Sequence, residues 1–396
     1  MGTGSTVNIH RTVFSHCLIF RFSIKYCIVS KPKILFILHL PPPVHGAAMM
    51  GSFIKNSALV NEEIDSFFVN LSTTKKLDET GKGGLGKAVT FLKMIASVFS
   101  ALSQKRWDAC YMTLTSSGAG FYKDLVIVAL IKLFGVKLVY HFHNKGVANA
   151  SASVINRLLY QFVFKNTKTI LLSPHLYPDI RNFVKEENVF YCPNGIPLVT
   201  NIRHKQMSEQ GVCELLYLSN MLQEKGAYVL LDALIELKKR GILFKANFVG
   251  GWSDITESEF NNRIVNAGLT DMAIAHGPKY GSDKDQFWNA ADVFIFPTFY
   301  HYEAFPLVLL EAMQHQLPII STTEGGIPDI VLNGETGFLV PQKNAAALAD
   351  QLEILIKNPE LRMKMGALGK ERFNQHFTLS HFEKQMVSIL KQVTIR

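Results

Sequence analysis

Twice along this chain, short β-rich runs alternate with longer amphipathic ones, and that alternation restricts the fold to parallel sheets crossed by helices. In the first series, residues 33–40 (KILFILHL), 109–113, 136–143, 169–172 and 189–192 read as strands. In the second, residues 215–218, 244–249, 293–296 and 318–321 read as strands, and 227–240 as a helix whose Lys238, Lys239 and Arg240 suit a helix C-terminus. Residues 126–133 and 138–140 are apolar, but Lys132 and Lys137 divide them into a buried helix and a strand. The fold class is therefore α/β. At 396 residues the chain can fill two cores. The boundaries predicted are an N-terminal extension over 1–30, a first α/β domain over 31–200 and a second over 201–377. A polar stretch at 198–212 joins the two. Open sheets of this kind bind ligands at the carboxyl ends of their strands.

Charge is unevenly spread. Residues 1–200 hold 22 Lys/Arg against 10 Asp/Glu, a net +12, whereas residues 201–396 hold 19 against 22, a net −3. A basic first half can face anionic lipid headgroups or an anionic acceptor, or it can be ordinary solvated surface. Both readings stay open, because no run of adjacent basic residues localises the charge. Nucleic acid is not expected as a partner. The five cysteines (Cys17, Cys27, Cys110, Cys192 and Cys213) form no CxxC or metal spacing. Their odd number suggests a reducing compartment, hence a cytoplasmic protein, with any membrane contact peripheral on the inner face. Cys192 reads as a buried structural thiol. Residues 14–29 are apolar but interrupted by Arg21 and Lys25, too short and too charged to span a bilayer. They read as an interfacial anchor or as an extension of no structural consequence, the second being favoured.

The most informative segment is 294–340, FIFPTFYHYEAFPLVLLEAMQHQLPIISTTEGGIPDIVLNGETGFLV. Glu303 lies in the loop after a strand, and Glu311 lies two turns into the next helix. Pro306 is expected just inside the start of that helix. The free N–H groups and positive dipole end there suit a phosphate. Ala304, Phe305, Pro306 and Leu307 would bring backbone to the ligand. Gly325 and Gly326 form a tight turn after the next strand, Ile327-Pro328 begins a helix, and residues 334–337 read as a hairpin-like turn. A second signal is SNMLQEKG at 219–226, between a strand and a helix, with Asn220 and Lys225. A Lys at the start of a helix opposes the dipole, so an anionic partner explains it better than solvent does. Gly46, in PPPVHGAAMM after the first strand, lets backbone approach a ligand, although the spacing is not that of a dinucleotide fingerprint. In LVYHFHNKG, His141 and His143 alternate onto one strand face, His141 reading as a core histidine. A metal held by this pair would need a third ligand, and none stands nearby in the sequence.

These motifs resemble those of family 4 glycosyltransferases, over about residues 33–390. The resemblance implies a GT-B fold, in which two Rossmann-like domains face each other across a cleft. It also implies that a last helix, over about 378–396, crosses back to complete the first domain. Glu303 would then contact the transferred sugar and Glu311 the nucleotide ribose. Lys225 would neutralise the departing diphosphate, and His143 would lie near the donor sugar as a further catalytic residue. Gly46, Asn220, Gly325 and Gly326 would line the donor site. Asn220 departs from the family, which has an Arg there; an amide brings no charge. Ala304 stands where the family often has Gly. Asn194-Gly195-Ile196 matches a family turn at the end of the first domain.

The expected reaction is transfer of a sugar from a nucleotide diphosphate, a UDP-sugar, to a glycan or lipid-linked glycan, with retention of anomeric configuration. The setting implied is bacterial surface-polysaccharide assembly. No cofactor or metal is expected, because fixed cations would stabilise the leaving group. Both glutamates come from one segment, which suits donor binding rather than the flanking carboxylates of a glycosidase. The alternatives are a nucleotide-sugar epimerase on the same fold and a catalytically silent nucleotide-sugar-binding protein.

Overall fold

The computed structural model describes residues 31–72, 85–200, 202 and 212–395. The extension over 1–30 and most of the 198–212 linker lie outside them. Two six-stranded sheets, parallel throughout, form the framework. The first contains β1 (Lys33–Leu38), β2 (Asp65–Asn70), β3 (Ala109–Met112), β4 (Leu138–His141), β5 (Thr167–Leu171) and β6 (Val189–Tyr191), in the order β2-β1-β3-β4-β5-β6. The second contains β7 (Cys213–Leu218), β8 (Phe244–Val249), β9 (Ala273–Ala275), β10 (Val293–Phe296), β11 (Ile319–Thr322) and β12 (Gly337–Val340), in the order β12-β11-β10-β7-β8-β9. The strands β1, β3, β4, β10 and β11 are buried over nearly their whole length, which is why they read as unbroken apolar runs.

Each order reverses direction once. In the first sheet the chain leaves β1 for β2 and returns to β3 on the other side; in the second it leaves β7 toward β9 and returns to β10 on the other side. Loops diverge at these two switch points, β1/β3 and β7/β10, and leave a crevice at the carboxyl ends. The segments after β7 and β10 are the ones holding Lys225 and Glu303.

Alternating side chains feed two layers on the first sheet. Leu35, Ile37, Cys110, Met112, Leu138 and Tyr140 face a layer of three helices, Leu85–Gln104, Gly118–Leu133 and Val154–Phe164. Ile34, Phe36, Tyr111 and Val139 face the other side. There they meet the helix Gly46–Asn56 and Phe382, Met386, Leu390 and Val393 of the last helix, Leu379–Thr394. The last helix thus packs on the first domain. Its entry is pinned by Ile196 N donating to Phe377 O (3.0 Å) and Leu379 N donating to Ile196 O (2.8 Å). Gly195 permits this crossing, since a Cβ there would lie 2.4 Å from Thr378 O.

Several expectations need correction. Strand β4 stops at His141, so His143 lies in the bend beyond it, although the two rings remain in contact, tilted by 46° with centroids 4.2 Å apart. Pro306 caps the helix Leu307–Gln314 from outside, with an extended ψ of 120°. Residues 334–337 make no hairpin; the turn delivers β12 parallel to β11. Lys225 closes a separate 3-10 turn, Gln223–Lys225, ahead of the helix Ala227–Lys239. The helix over 126–133 is not buried all round, for Val126 and Leu133 are exposed. Cys192, by contrast, is fully enclosed as expected, and burial pushes its thiol pKa up.

Candidate active site

The turn carrying Lys225 is held by backbone. Glu224 O accepts from Phe299 N (2.8 Å) and Thr298 Oγ1 (3.3 Å). Gly226 adopts φ +87°, and a Cβ there would lie 2.2 Å from Pro297 O, so only glycine lets the turn seat against the end of β10. From this anchored turn Lys225 Nζ makes an ion pair with Glu303 Oε2. It also sits 4.4 Å above the Tyr300 ring, a cation–π contact. Both charged groups are largely shielded, so the pair is only thinly screened.

Glu303 is positioned in turn by the loop after β11. Gly325 has φ +55°, and a Cβ there would meet Glu303 O at 2.4 Å. Gly326 N donates to Ala304 O (2.7 Å). Ala304, Phe305 and Pro306 are buried, and Phe305 packs on Phe377 (5.8 Å) while its carbonyl accepts from Asn194 Nδ2 (3.2 Å). Their side chains therefore fix the loop. Pro306 supplies no side-chain cap, which leaves the amino end of the Leu307–Gln314 helix with its dipole unneutralised. Glu311, about one turn into that helix rather than the two expected, pairs with Lys284 Nζ (2.9 and 3.1 Å) from the helix Ser282–Ala290. Asp283 and Asp285 flank that lysine on the exposed first turn, where carboxylates complement the dipole. Among the described residues no group of three or more His, Cys, Asp or Glu side chains is arranged to hold a metal ion.

Asn220 is exposed at the end of β7, and Gly250 packs against the Ser219 carbonyl beside it. No cation occupies the Asn220 position. A second lysine instead arrives from the facing domain: Lys145, in the loop after β4, pairs with Glu324. Glu324 is buried and also accepts from Gly325 N (3.1 Å) and Gln342 Nε2 (2.7 Å). Other contacts cross the cleft alongside: Ser173 Oγ donates to Asp329 Oδ2, His175 Nδ1 lies 3.1 Å from the same oxygen, and Asn149 Nδ2 lies 2.9 Å from His301 Nε2.

On the first-domain wall, His39, His45, His141 and His143 gather at the carboxyl ends of β1 and β4. His45 caps the helix Gly46–Asn56 through Nδ1, and Gly46 is exposed with nothing within 4 Å of a Cβ built on it. His141 Nδ1 contacts Tyr111 Oη at 2.6 Å. Both ring nitrogens of His143 are enclosed without a protein partner. Burial lowers the pKa of His143 to about 3, assisted by His45; burial likewise lowers His39 to about 3, assisted by Lys123, His45 and His143. His143 is therefore a neutral imidazole at pH 7, able to hydrogen-bond a hydroxyl and unfit to act as a cation.

The same shifts predict acid lability. An imidazole with an ordinary pKa of 6.5 in the unfolded chain and about 3 in the fold binds its proton only on unfolding. Its contribution is complete above about pH 6.5 and is lost as pH falls toward 3, by about 1.4 kcal/mol per pH unit for each such group. Urea midpoints measured between about pH 7 and 5 should fall, and the fall should be shallower in His143→Gln. An identical slope in that variant would show that His143 is not held neutral by the fold.

The sequence motifs gave no sign of Lys284, Lys145, Glu324, Asp329 or His175, all of which act through partners distant in the chain. Nor did a motif announce the cavity of about 570 Å³ lined by Glu214, Asn247, His276, Lys279, Gln286 and Phe287.

This arrangement of sheets is the GT-B fold. The WaaB lipopolysaccharide outer core galactosyltransferase superposes with a TM-score of 0.69 at 15% identity, over 91% of this chain and 99% of that one. Anabaena Alr3699/HepE, in complex with UDP and glucose, gives 0.67 at 18% identity, over 91% of this chain and 100% of that one. Residues 199–372 match the model of the family described as Glycosyl transferases group 1. The Staphylococcus aureus capsular polysaccharide biosynthesis glycosyltransferase CapM is 30% identical over 178 residues, 44% of this chain and 44% of its own length. The putative colanic acid biosynthesis glycosyltransferase WcaL of Salmonella typhimurium is 27% identical over 203 residues, 49% of each. The chain thus spans about half the length of the curated relatives it matches.

Proposed function

We propose that this chain transfers a sugar from a nucleotide diphosphate, a UDP-sugar, to a hydroxyl of a glycan or lipid-linked glycan, with retention of configuration and without a metal. The product belongs to cell-surface polysaccharide, and the reaction takes place on the cytoplasmic side of the membrane. One observation carries this reading: at the β7/β10 switch point a shielded lysine, a carboxylate and an uncapped helix amino end share one loop system. A sugar diphosphate offers the complement of each. The relatives named above, and the UDP and glucose of the HepE complex, support the donor class.

As the bond from the sugar to the diphosphate breaks, its electron pair goes to the phosphate oxygen. Lys225 and the N–H groups at Leu307 and Val308 stabilise that charge. The acceptor hydroxyl attacks the same face and passes its proton to the leaving oxygen. Glu303, released from Lys225, holds a sugar hydroxyl, and Glu311, released from Lys284, holds the ribose. Neutral His143 hydrogen-bonds the sugar. Lys145 supplies, from the facing domain, the second cation that Asn220 does not. Closure of the two domains excludes water from the activated donor.

Thermal shift with UDP, GDP, ADP and their sugars, with and without EDTA, tests the donor site. A ligand at about 100 times its Kd stabilises the fold by about 2.7 kcal/mol. Selective stabilisation by UDP that survives EDTA is expected, and Glu311→Gln should weaken UDP binding about tenfold, the scale of one lost charge-assisted hydrogen bond. Stabilisation by no nucleotide would overturn the reading. Release of an epimerised nucleotide sugar without acceptor would favour an epimerase, and binding without turnover over a broad acceptor panel would favour a silent binder.

A further inference from the structure

The three-helix layer on the first sheet carries exposed apolar side chains on its outer face. The helices Leu85–Gln104, Gly118–Leu133 and Val154–Phe164 turn Met94, Val98, Phe121, Ile127, Ile131, Tyr160 and Val163 inward, which satisfies an ordinary amphipathic pattern. Their outward positions are nevertheless apolar as well. Val154, Ile155 and Leu158 are 68, 69 and 60% exposed, Leu92 is 64% and Leu133 is 81% exposed. Val89, Phe99, Val126 and Phe162 are exposed beside them.

These side chains form one face, because the helices pack side by side. Tyr122 Oη donates to Asn156 Oδ1 (2.7 Å) between the second and third helices. Phe99 and Phe134 meet edge to face at 5.6 Å between the first and second. Lys132 Nζ lies 5.5 Å over the Phe162 ring and donates to Lys165 O (2.6 Å).

Charge on this face has one sign. Across residues 85–107, 118–137 and 154–168 the sequence holds a single carboxylate, Asp124, and it is fully buried. Lys93, Lys137, Arg157 and Lys165 are exposed. The Lys132 ammonium has its pKa lowered, first by burial and then by the like charge of Lys165. Exposed leucine, valine and phenylalanine interspersed with lysine and arginine, with no exposed acid, is the complement of an interface between anionic headgroups and acyl chains. Among the described residues no helix is long and apolar enough to cross a membrane, so contact through this face would be surface contact.

We infer that the outer face of the Leu85–Gln104, Gly118–Leu133 and Val154–Phe164 layer docks on an anionic lipid surface. The apolar side chains enter the headgroup boundary, and Lys93, Arg157 and Lys165 engage phosphate groups. This inference does not depend on the glycosyltransferase reading, since it rests on a different face and a different chemistry.

The test is flotation of the full chain with vesicles of phosphatidylcholine, alone or with about 30 mol% phosphatidylglycerol. Partitioning onto the anionic vesicles, weakened by salt, is expected. The variant Val154→Ser/Ile155→Ser/Leu158→Ser alters only exposed side chains, so its melting temperature should stay near that of the parent. It should partition about tenfold less, as should Lys93→Glu/Arg157→Glu/Lys165→Glu. Failure of the parent to float with anionic vesicles overturns the inference. So does flotation that both variants retain, which would assign lipid binding to another part of the chain. A parent dimer in solution that the serine variant dissociates, with no lipid binding, would instead make this face a contact between two copies.

Discussion

Replacing Lys225 with alanine is expected to lower kcat about 10²–10³-fold, the cost of removing one fixed group that meets charge developing in a transition state. UDP affinity should fall too, because the bound diphosphate already carries charge. Glu303→Gln should cost a similar factor in kcat and leave UDP affinity within about threefold, since its proposed partner is the sugar. The two losses should not add. Lys225 and Glu303 are paired in the free protein, so each variant also releases the other's side chain, and the double variant should be little worse than the poorer single one. Glutamine keeps the shape of Glu303, and Lys225 retains its place above Tyr300, 4.4 Å from the ring centre, so the fold should survive. Single-turnover rates with a saturating donor, alongside melting curves, separate chemistry from stability. Turnover by both single variants within about threefold of the parent would remove this pair from the mechanism.

The parallel architecture was legible because fully enclosed strands such as β10 and β11 leave unbroken apolar runs, and because the turn beyond β11 carries Gly325 and Gly326. Shorter or peripheral strands left less trace. β9 is three residues long, and β2 pairs with β1 alone and exposes Phe67. β12 begins at Gly337, whose pairing with β11 needs a glycine, because a Cβ would lie 1.9 Å from Ile319 O. Read locally, GETG signals a turn, and only pairing with β11 makes a strand of Gly337–Val340.

The candidate site divides along the same line. Glu303, Lys225 and Gly325 sit in contiguous motifs whose residue types announce their chemistry. Lys145 looks like any surface lysine until β4 and β11 bring it to buried Glu324. The neutrality of His143 was equally hidden: an HxH pair read along the sequence says nothing of His39 and His45, which both arrive from the segment after β1. Local sequence thus carried the loops that hold Lys225 and Glu303, and long-range packing supplied their electrostatic surroundings.

Two glycines placed in one donor site by sequence should behave oppositely when replaced by alanine. Gly325 is required by the fold. Its φ of +55° is unfavourable for alanine, and a Cβ would press to 2.4 Å from Glu303 O and 3.0 Å from Ala304 O, both backbone atoms with little room to yield. Gly325→Ala should therefore destabilise by about 2–4 kcal/mol and, by shifting the Glu303 loop, depress kcat by an order of magnitude or more. Gly46 has an ordinary φ and open space where its Cβ would be, at the exposed start of an 11-residue helix. Alanine there should leave stability unchanged or raise it by about 0.5 kcal/mol. If donor phosphates come close to that backbone, Gly46→Ala will raise the donor KM several-fold with no change in melting temperature. A Gly46→Ala enzyme with an unaltered donor KM would show that the open space at the first helix is not filled by the donor, and would leave the β7/β10 crevice, with Lys225 and Glu303, as the part of the site that binds it.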